Sequence, residues 1–313
     1  MKALVTGGAG YIGSVITQQL LEQGHQAVVL DSLATGHADA VLDGADWHQG
    51  DIAEAAEILD SSFDVVIHLA AKSLVGESVQ HPERYWHGNI VASLKLIDAV
   101  RAAGVPRMVF SSTAAVYGNP VTTLISEDHP TAPINPYGAS KLAIDHMLAA
   151  EAAAHGLAAV SLRYFNVGGA SGGLRERHDP ETHLIPNLLQ AARSGGQASL
   201  FGTDYPTDDG TAVRDYIHVV DLAQAHLLAM ETAQAGRHEI YNLGTSVGSS
   251  VREVIAAVER VTGLSLKVRE EPRRPGDPAV LVASGQKAVQ QLGWRPVRGL
   301  DEIIADAWEA LPG

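Results

Sequence analysis

The feature that most constrains this chain is the run Gly7-Gly8-Ala9-Gly10-Tyr11-Ile12-Gly13. It follows a short apolar stretch at 3–5 and opens a helix-like pattern. A strand that turns at once into a helix needs small residues at the turn, where the backbone bends sharply and lies close to a ligand. The first N–H groups of the helix then face outward with positive partial charge and suit a pyrophosphate. Gly7, Gly10, Tyr11, Ile12 and Gly13 are therefore candidate cofactor-binding residues. Asp31 ends the next apolar run. A carboxylate there accepts hydrogen bonds from adenosine ribose hydroxyls and repels a 2′-phosphate, which favours NAD over NADP.

Similar apolar runs recur at 27–30, 65–69, 108–110 and 159–162, separated by helical patterns at 11–23, 83–103 and 137–155. Such alternation predicts right-handed βαβ crossovers and an α/β fold: a doubly wound parallel Rossmann sheet with a smaller C-terminal α/β substrate-binding domain. We place the NAD-binding domain at 1–166 and the substrate-binding domain at 167–313, with part of 214–245 returning to the first. Strand ends on one edge of such a sheet bind the ligand. That brings in Asp51 and Ile52 after the third strand, and Leu69, Ala70 and Ala71 after the fourth, where small residues let a cofactor lie close.

Composition narrows the function. The 36 acidic and 22 basic residues give a net charge of −14, which disfavours a general nucleic-acid binder but allows a local basic pocket. Cysteine is absent, which excludes disulfides, thiolate metal ligands and cysteine nucleophiles, and suits a cytoplasmic protein. The N-terminus turns glycine-rich too soon for a signal peptide, and no apolar run approaches the ~20 residues of a membrane span, so no membrane partner is expected.

Chemistry enters with Tyr137-Gly138-Ala139-Ser140-Lys141, preceded by the helix-start signal Asn135-Pro136. On a helix Tyr137 and Lys141 share one face, a turn apart. A nearby cation favours the phenolate, so the tyrosine pKa is expected to fall from ~10, making Tyr137 a candidate base for an alcohol proton. Ser111-Ser112-Thr113 ends the fifth strand, where Thr113 can hydrogen-bond both a substrate oxygen and the tyrosine.

Together Thr6-Gly7-Gly8-Ala9-Gly10-Tyr11-Ile12-Gly13, Phe110-Ser111-Ser112-Thr113, Tyr137-Gly138-Ala139-Ser140-Lys141 and Arg163-Tyr164-Phe165-Asn166-Val167 resemble the extended short-chain dehydrogenase/reductase superfamily. Within it, Val75-Gly76-Glu77-Ser78, the stretch from Tyr205 to Val219 and Arg273-Arg274-Pro275-Gly276-Asp277 resemble the UDP-glucose 4-epimerase family. The resemblance runs nearly end to end. It implies a UDP-hexose substrate inverted at carbon 4 through a transient 4-keto sugar, with bound NAD. Tyr137 would be the base, Thr113 its partner, and Lys141 the ligand of the nicotinamide ribose, while Asn89, Ser111 and Phe165 complete the cofactor set. Asn166, His183, Leu184 and Phe201 would line the nucleotide-sugar site. Arg214 and Arg274 would hold the diphosphate and Asp277 the uridine ribose, and Leu281 would border the 2-substituent of the sugar. A diphosphate also wants forked cationic donors on physical grounds, although Arg214 could instead bridge to Asp215 or Asp221.

Some positions depart from the family pattern. Its fourth-strand lysine stands where this chain has Ser73, so a direct cofactor contact from Lys72 is not expected. Ser246 replaces a frequent glycine, and Ser284-Gly285-Gln286-Lys287 is a loose version of a common Asp-x-Ser-Lys. Thr113 is followed by Ala114-Ala115, which cannot transfer protons and argues against a dehydratase. Epimerases of other UDP-sugars (UDP-N-acetylglucosamine, UDP-xylose or UDP-glucuronate) and a non-catalytic NAD-binding regulator remain alternatives. The segment His178-Asp179-Pro180-Glu181-Thr182-His183 reads as a substrate-pocket loop, and no metal is expected. Relatives pair through helices such as 83–103 and 137–155, which implies a homodimer.

Overall fold

A computed structural model describes residues 1–274 and 277–312. Seven parallel strands form the central sheet: β1 (Lys2–Thr6), β2 (Gln26–Asp31), β3 (Asp46–Gln49), β4 (Val65–His68), β5 (Arg107–Thr113), β6 (Ala158–Tyr164) and β7 (His238–Leu243). In space they run β7-β6-β5-β4-β1-β2-β3. The order reverses between β1 and β4, and a crevice opens beyond the carboxyl ends of the strands there.

The two-residue period of a strand divides its side chains between two cores. Ala3, Val5, Ile67, Val109 and Leu162 face helices α1 (Tyr11–Glu22) and Val219–Thr232, packing on Ile16, Leu20, Leu222 and Met230. Leu4, Val66, Met108 and Phe110 face the other way, onto Leu96, Ile97, Ile144 and Leu148 of helices Ala92–Ala103 and Pro136–His155. Both faces are covered, so these strands read as near-continuous apolar runs. β3 and β7 do not. Every residue of the edge strand β3 is exposed, and β7 is the mixed sequence HEIYNL, paired to β6 late in the chain.

The expected helix over 83–103 is one rod with an interruption. Pro82–Tyr85 and Ala92–Ala103 are α-helical, and Trp86–Val91 between them is a π-turn. The wider turn directs Asn89 into the protein, where it is fully buried. Helix Pro136–His155 begins as the sequence signals: the Asn135 side chain accepts the Gly138 N–H at 2.8 Å, and Pro136 sits in the first turn.

The smaller core holds Ile185, Leu188, Val254, Val258, Ile303 and Ile304, from helices Leu184–Ser194, Val251–Thr262 and Leu300–Glu309. A short parallel pair, Gln197–Phe201 with Lys267–Glu271, flanks it. Val213–Arg214 pairs with Val280–Ala283, which in turn pairs with Leu124–Ile125, a segment following β5. Buried Asp215 secures this junction by accepting N–H groups from Thr245, Ser246 and Ala283 at 2.8, 3.2 and 3.1 Å. Ser246 takes φ +60°, which explains why glycine suits that position; its Oγ compensates by accepting the Gly285 N–H at 2.9 Å.

Candidate active site

The glycine turn is packed to the limit of backbone contact. A Cβ on Gly7 would lie 2.8 Å from the Ala70 nitrogen, and one on Gly13 would lie 2.2 Å from the Gly7 carbonyl oxygen. The turns after β1 and β4 therefore touch, and Leu69-Ala70-Ala71 walls the crevice. Gly10 caps α1 with no side-chain hydrogen bond, and no acid occupies the first turn. The N–H groups of Tyr11, Ile12 and Gly13 are thus left for an anion, as a dinucleotide pyrophosphate requires.

Asp31 is buried and anchors the same turn: its carboxylate accepts the Ala9 N–H at 3.0 Å and the Leu33 N–H at 2.8 Å. Each oxygen keeps lone-pair capacity for a ribose hydroxyl. Asp51 caps the turn Ile52–Glu57, accepting the Ala53 N–H at 2.8 Å, and Ile52 is buried beneath it. The sequence reading passed over the opposite wall, where Arg175 and Arg177 approach Gly10 and Tyr11 alongside His37. His37 Nε2 donates to the Arg177 carbonyl at 3.0 Å, and Arg177 forks onto Asp39 at 2.8 Å through both terminal nitrogens. Only the crowding of this loop against α1 reveals those cations.

Thr113, Tyr137 and Lys141 come together at the end of β5. Thr113 stands beside the Tyr137 hydroxyl, near enough to pull its pKa down, and accepts the Ala115 N–H at 3.1 Å. Lys141 is buried, donates to the Ser111 carbonyl at 2.9 Å and stands 4.8 Å over the Phe110 ring. The electrostatics correct the expectation of a lowered tyrosine pKa. Burial raises Tyr137 above its usual range and the Thr113 hydrogen bond only partly opposes this. Burial likewise lowers Lys141 to about 7, with Asp145 opposing. Burial thus works against both the ammonium and the phenolate in the protein alone.

Two predicted cofactor residues are engaged by the protein itself. Both Asn89 N–H groups donate, to the Lys72 carbonyl and to Ser140 Oγ at 3.0 Å each, while Oδ1 accepts the Lys72 N–H at 2.8 Å. Asn89 thus ties the turn after β4 to the helix carrying Tyr137. Ser111 Oγ donates to His226 Nε2 at 2.8 Å, because His226 Nδ1 already donates to the Leu222 carbonyl at 2.9 Å. The sequence reading gave no role to Tyr85, whose ring meets Tyr137 edge-on at 6.4 Å, or to Tyr164, which lies beside Ser111.

The predicted substrate residues surround the far side of the crevice. Arg274 lies 4.1 Å over the Phe201 ring. Arg214 pairs with Asp277, rather than with Asp215 or Asp221; Asp221 instead holds Arg298. Of the motif containing Arg274 and Asp277, Pro275 and Gly276 lie outside the described residues. Leu281 packs with Phe165 against Val116, Tyr117 and Ile125. The Asn166 N–H donates to the Asp215 carbonyl at 3.0 Å. His183 and Leu184 open helix Leu184–Ser194, and Glu176 and Glu181 raise His183 to about 10 although desolvation opposes it; the side chain is still 44% exposed.

Comparison with known proteins places this geometry in context. Residues 3–244 match the NAD dependent epimerase/dehydratase family. Two curated relatives are UDP-glucose 4-epimerases. The Corynebacterium glutamicum protein is 52% identical, covering 98% of this chain and 95% of its own. The Streptomyces lividans protein is 54% identical with the same coverage. A solved UDP-glucose 4-epimerase from Brucella ovis in complex with NAD superposes with a TM-score of 0.94 at 44% identity, over 98% of this chain and 97% of that one.

Proposed function

The chain belongs to the NAD dependent epimerase/dehydratase family, and from that premise we propose that it interconverts UDP-glucose and UDP-galactose by inverting carbon 4. The observation that carries this reading is the placing of Thr113, Tyr137 and Lys141 on the strand-end edge that also bears the glycine turn. NAD, when bound, supplies the acceptor that takes hydride from carbon 4 and returns it.

Tyr137 removes the proton of the sugar 4-hydroxyl, with Thr113 holding the oxygen in line. The 4-keto hexose left by loss of hydride turns over while its nucleotide stays anchored, so that hydride would return to the opposite face of carbon 4 as Tyr137 gives its proton back to the 4-oxygen. Because the phenol is raised in the free protein, the drop that base catalysis needs must arrive with the bound ligands. Gly7, Gly10, the first turn of α1, Asp31 and Lys141 hold the cofactor. Arg214, Arg274 and Phe201 hold the diphosphate end, and Asp277 releases Arg214 to take the uridine ribose. Ala114 and Ala115 supply no acid or base beside Thr113, which disfavours dehydration.

The same proposal assigns 1–166 to NAD and 167–313 to substrate, with part of 214–245 serving the first; helix Val219–Thr232 and β7 packing on the sheet support it. It includes a homodimer in the cytoplasm. Val75, Val79, Val91 and Leu94 are exposed on neighbouring helical segments, an apolar face suited to a second copy. No helix of the described residues is long and apolar enough to cross a membrane.

Incubating the purified protein with UDP-galactose and separating the products tests the reaction. UDP-glucose should form without net consumption of NAD. A deoxygenated or decarboxylated product, or no turnover with intact NAD binding, would replace this reading with one of its rivals.

A further inference from the structure

After the short strand Leu174–Arg175, the chain gathers four potential ligands that the proposed reaction does not use as a group. Glu176, His178, Glu181 and His183 each offer one donor atom, and the four atoms lie within 4.8 Å of one another. His183 Nδ1 is 2.9 Å from Glu176 Oε1 and 2.9 Å from Glu181 Oε1. His178 Nδ1 is 3.1 Å from Glu176 Oε1 and 4.0 Å from Glu181 Oε2. Zinc bound tetrahedrally at about 2.0–2.1 Å holds its ligand atoms ~3.3 Å apart. The measured separations bracket that value.

Hydrogen bonding leaves the arrangement unsatisfied. One N–H on His183 Nδ1 faces two carboxylates. His178 Nδ1 is buried and close to a carboxylate oxygen, yet it has no hydrogen-bond partner. Unpartnered buried nitrogens are rare because each costs about 1–3 kcal/mol. The Glu176 side chain is only 9% exposed and Glu181 15%, while His183 reaches the surface at 44%, and Glu181 Oε1 also accepts the Thr182 and His183 N–H groups at 2.8 Å. A proton on His183 is the rival occupant, but it serves one ring and leaves the other nitrogen unpaired.

We propose that Glu176, His178, Glu181 and His183 form a binding site for a divalent transition cation, with zinc the best match to two imidazoles and two carboxylates. Two carboxylates neutralise the ion. Four protein donors leave no open position, which makes the site structural. The ion fixes the turn before helix Leu184–Ser194 and so orients His183 and Leu184 at the mouth of the substrate crevice. The sequence carries three of the ligands in the 178–183 segment; Glu176, two residues upstream, completes the set only in three dimensions.

The test uses the full chain without an affinity tag, incubated with zinc sulfate, dialysed against metal-free buffer and analysed by elemental mass spectrometry. The wild type should retain about one zinc per chain, and His178→Ala and Glu181→Gln should each lower occupancy at least ~10-fold. Glu181→Gln is nearly isosteric, so it reports even if His178→Ala folds poorly. Zinc should also raise the melting temperature of the wild type and leave that of Glu181→Gln unchanged. Retention below about a tenth of an equivalent by the wild type, or equal retention by wild type and Glu181→Gln, would overturn the site and assign the cluster to a protonated His183 between two carboxylates.

Discussion

Two arginine–carboxylate pairs set the two sides of this molecule apart. Asp145, on the inner face of the helix that carries Tyr137, and Arg163 of β6 have side chains 2% and 4% exposed and are joined at 2.8 and 3.1 Å. Arg163 continues to the Tyr117 hydroxyl at 3.0 Å, and Tyr117 to Asn242 at 2.7 Å. Arg273 and Asp204, at the substrate lobe, are 41% and 75% exposed and joined at 2.7 Å. The sheet side uses charge as a fixed internal brace. The substrate side also carries charge nearer the surface, with Arg214 and Asp277 between the two extremes at 11% and 33% exposed, and such pairs exchange more easily when an anionic ligand arrives. The binding strength of Arg214 is therefore the difference between ligand and its resident carboxylate, Asp277.

The largest expected effect breaks the comparison directly. Asp145→Ala strands a buried guanidinium and should destabilise the fold by about 3–5 kcal/mol, whereas Asp204→Ala should change stability by less than ~1 kcal/mol. Denaturant unfolding of both variants measures this, and equal effects would erase the distinction.

Next comes Tyr137→Phe, which keeps the ring within the braced side and removes its proton acceptor. Turnover should fall at least ~100-fold, about 2.7 kcal/mol, with NAD content unchanged. Assay of product together with cofactor released on denaturation decides it; near-normal turnover removes Tyr137 from the chemistry.

Lys141 gives a pH signature. Unfolded, it holds its proton up to 10.5; in the fold it loses it at about 7. Between those values the unfolded state binds more protons, so stability should rise with pH, by up to ~1.4 kcal/mol per unit from this residue. Below about 7 both states are protonated and the contribution is flat. In the cofactor-free protein, Lys141→Met should reduce the slope of the unfolding midpoint between pH 7.5 and 9.5. An unchanged slope would show that burial does not depress the lysine.

The smallest expected effect sharpens the picture of the substrate side. Leu281→Tyr should suppress turnover of UDP-N-acetylglucosamine relative to UDP-glucose, and Leu281→Ser should raise it, each by several-fold, or about 1 kcal/mol. A ratio that neither change moves would place Leu281 away from the sugar.

Much of the braced side was legible in the chain. The glycine turn, Asp31 at the end of β2, and Tyr137 and Lys141 on one helix face depend on local spacing, which strand and helix geometry convert directly into position. β3 and β7 were not legible as apolar runs, because an exposed edge strand and a strand of mixed sequence carry no such signal. Asn89 was marked for the cofactor by resemblance alone; that a π-turn sets it inward on the Lys72 backbone follows from no local signal.

By itself, then, the sequence determined the alternation of strands and helices, the nucleotide turn and the candidate base Tyr137 with Lys141 on its helix face, since each follows from neighbours within a few residues. Only the tertiary structure decided that Lys141 points at the Ser111 carbonyl, that Tyr137 is raised rather than lowered, that Arg214 chooses Asp277, and that Glu176 joins two histidines and a second glutamate. Charges and lone pairs act through space and through the burial around them. Which ones meet is set by chain segments that local spacing does not relate.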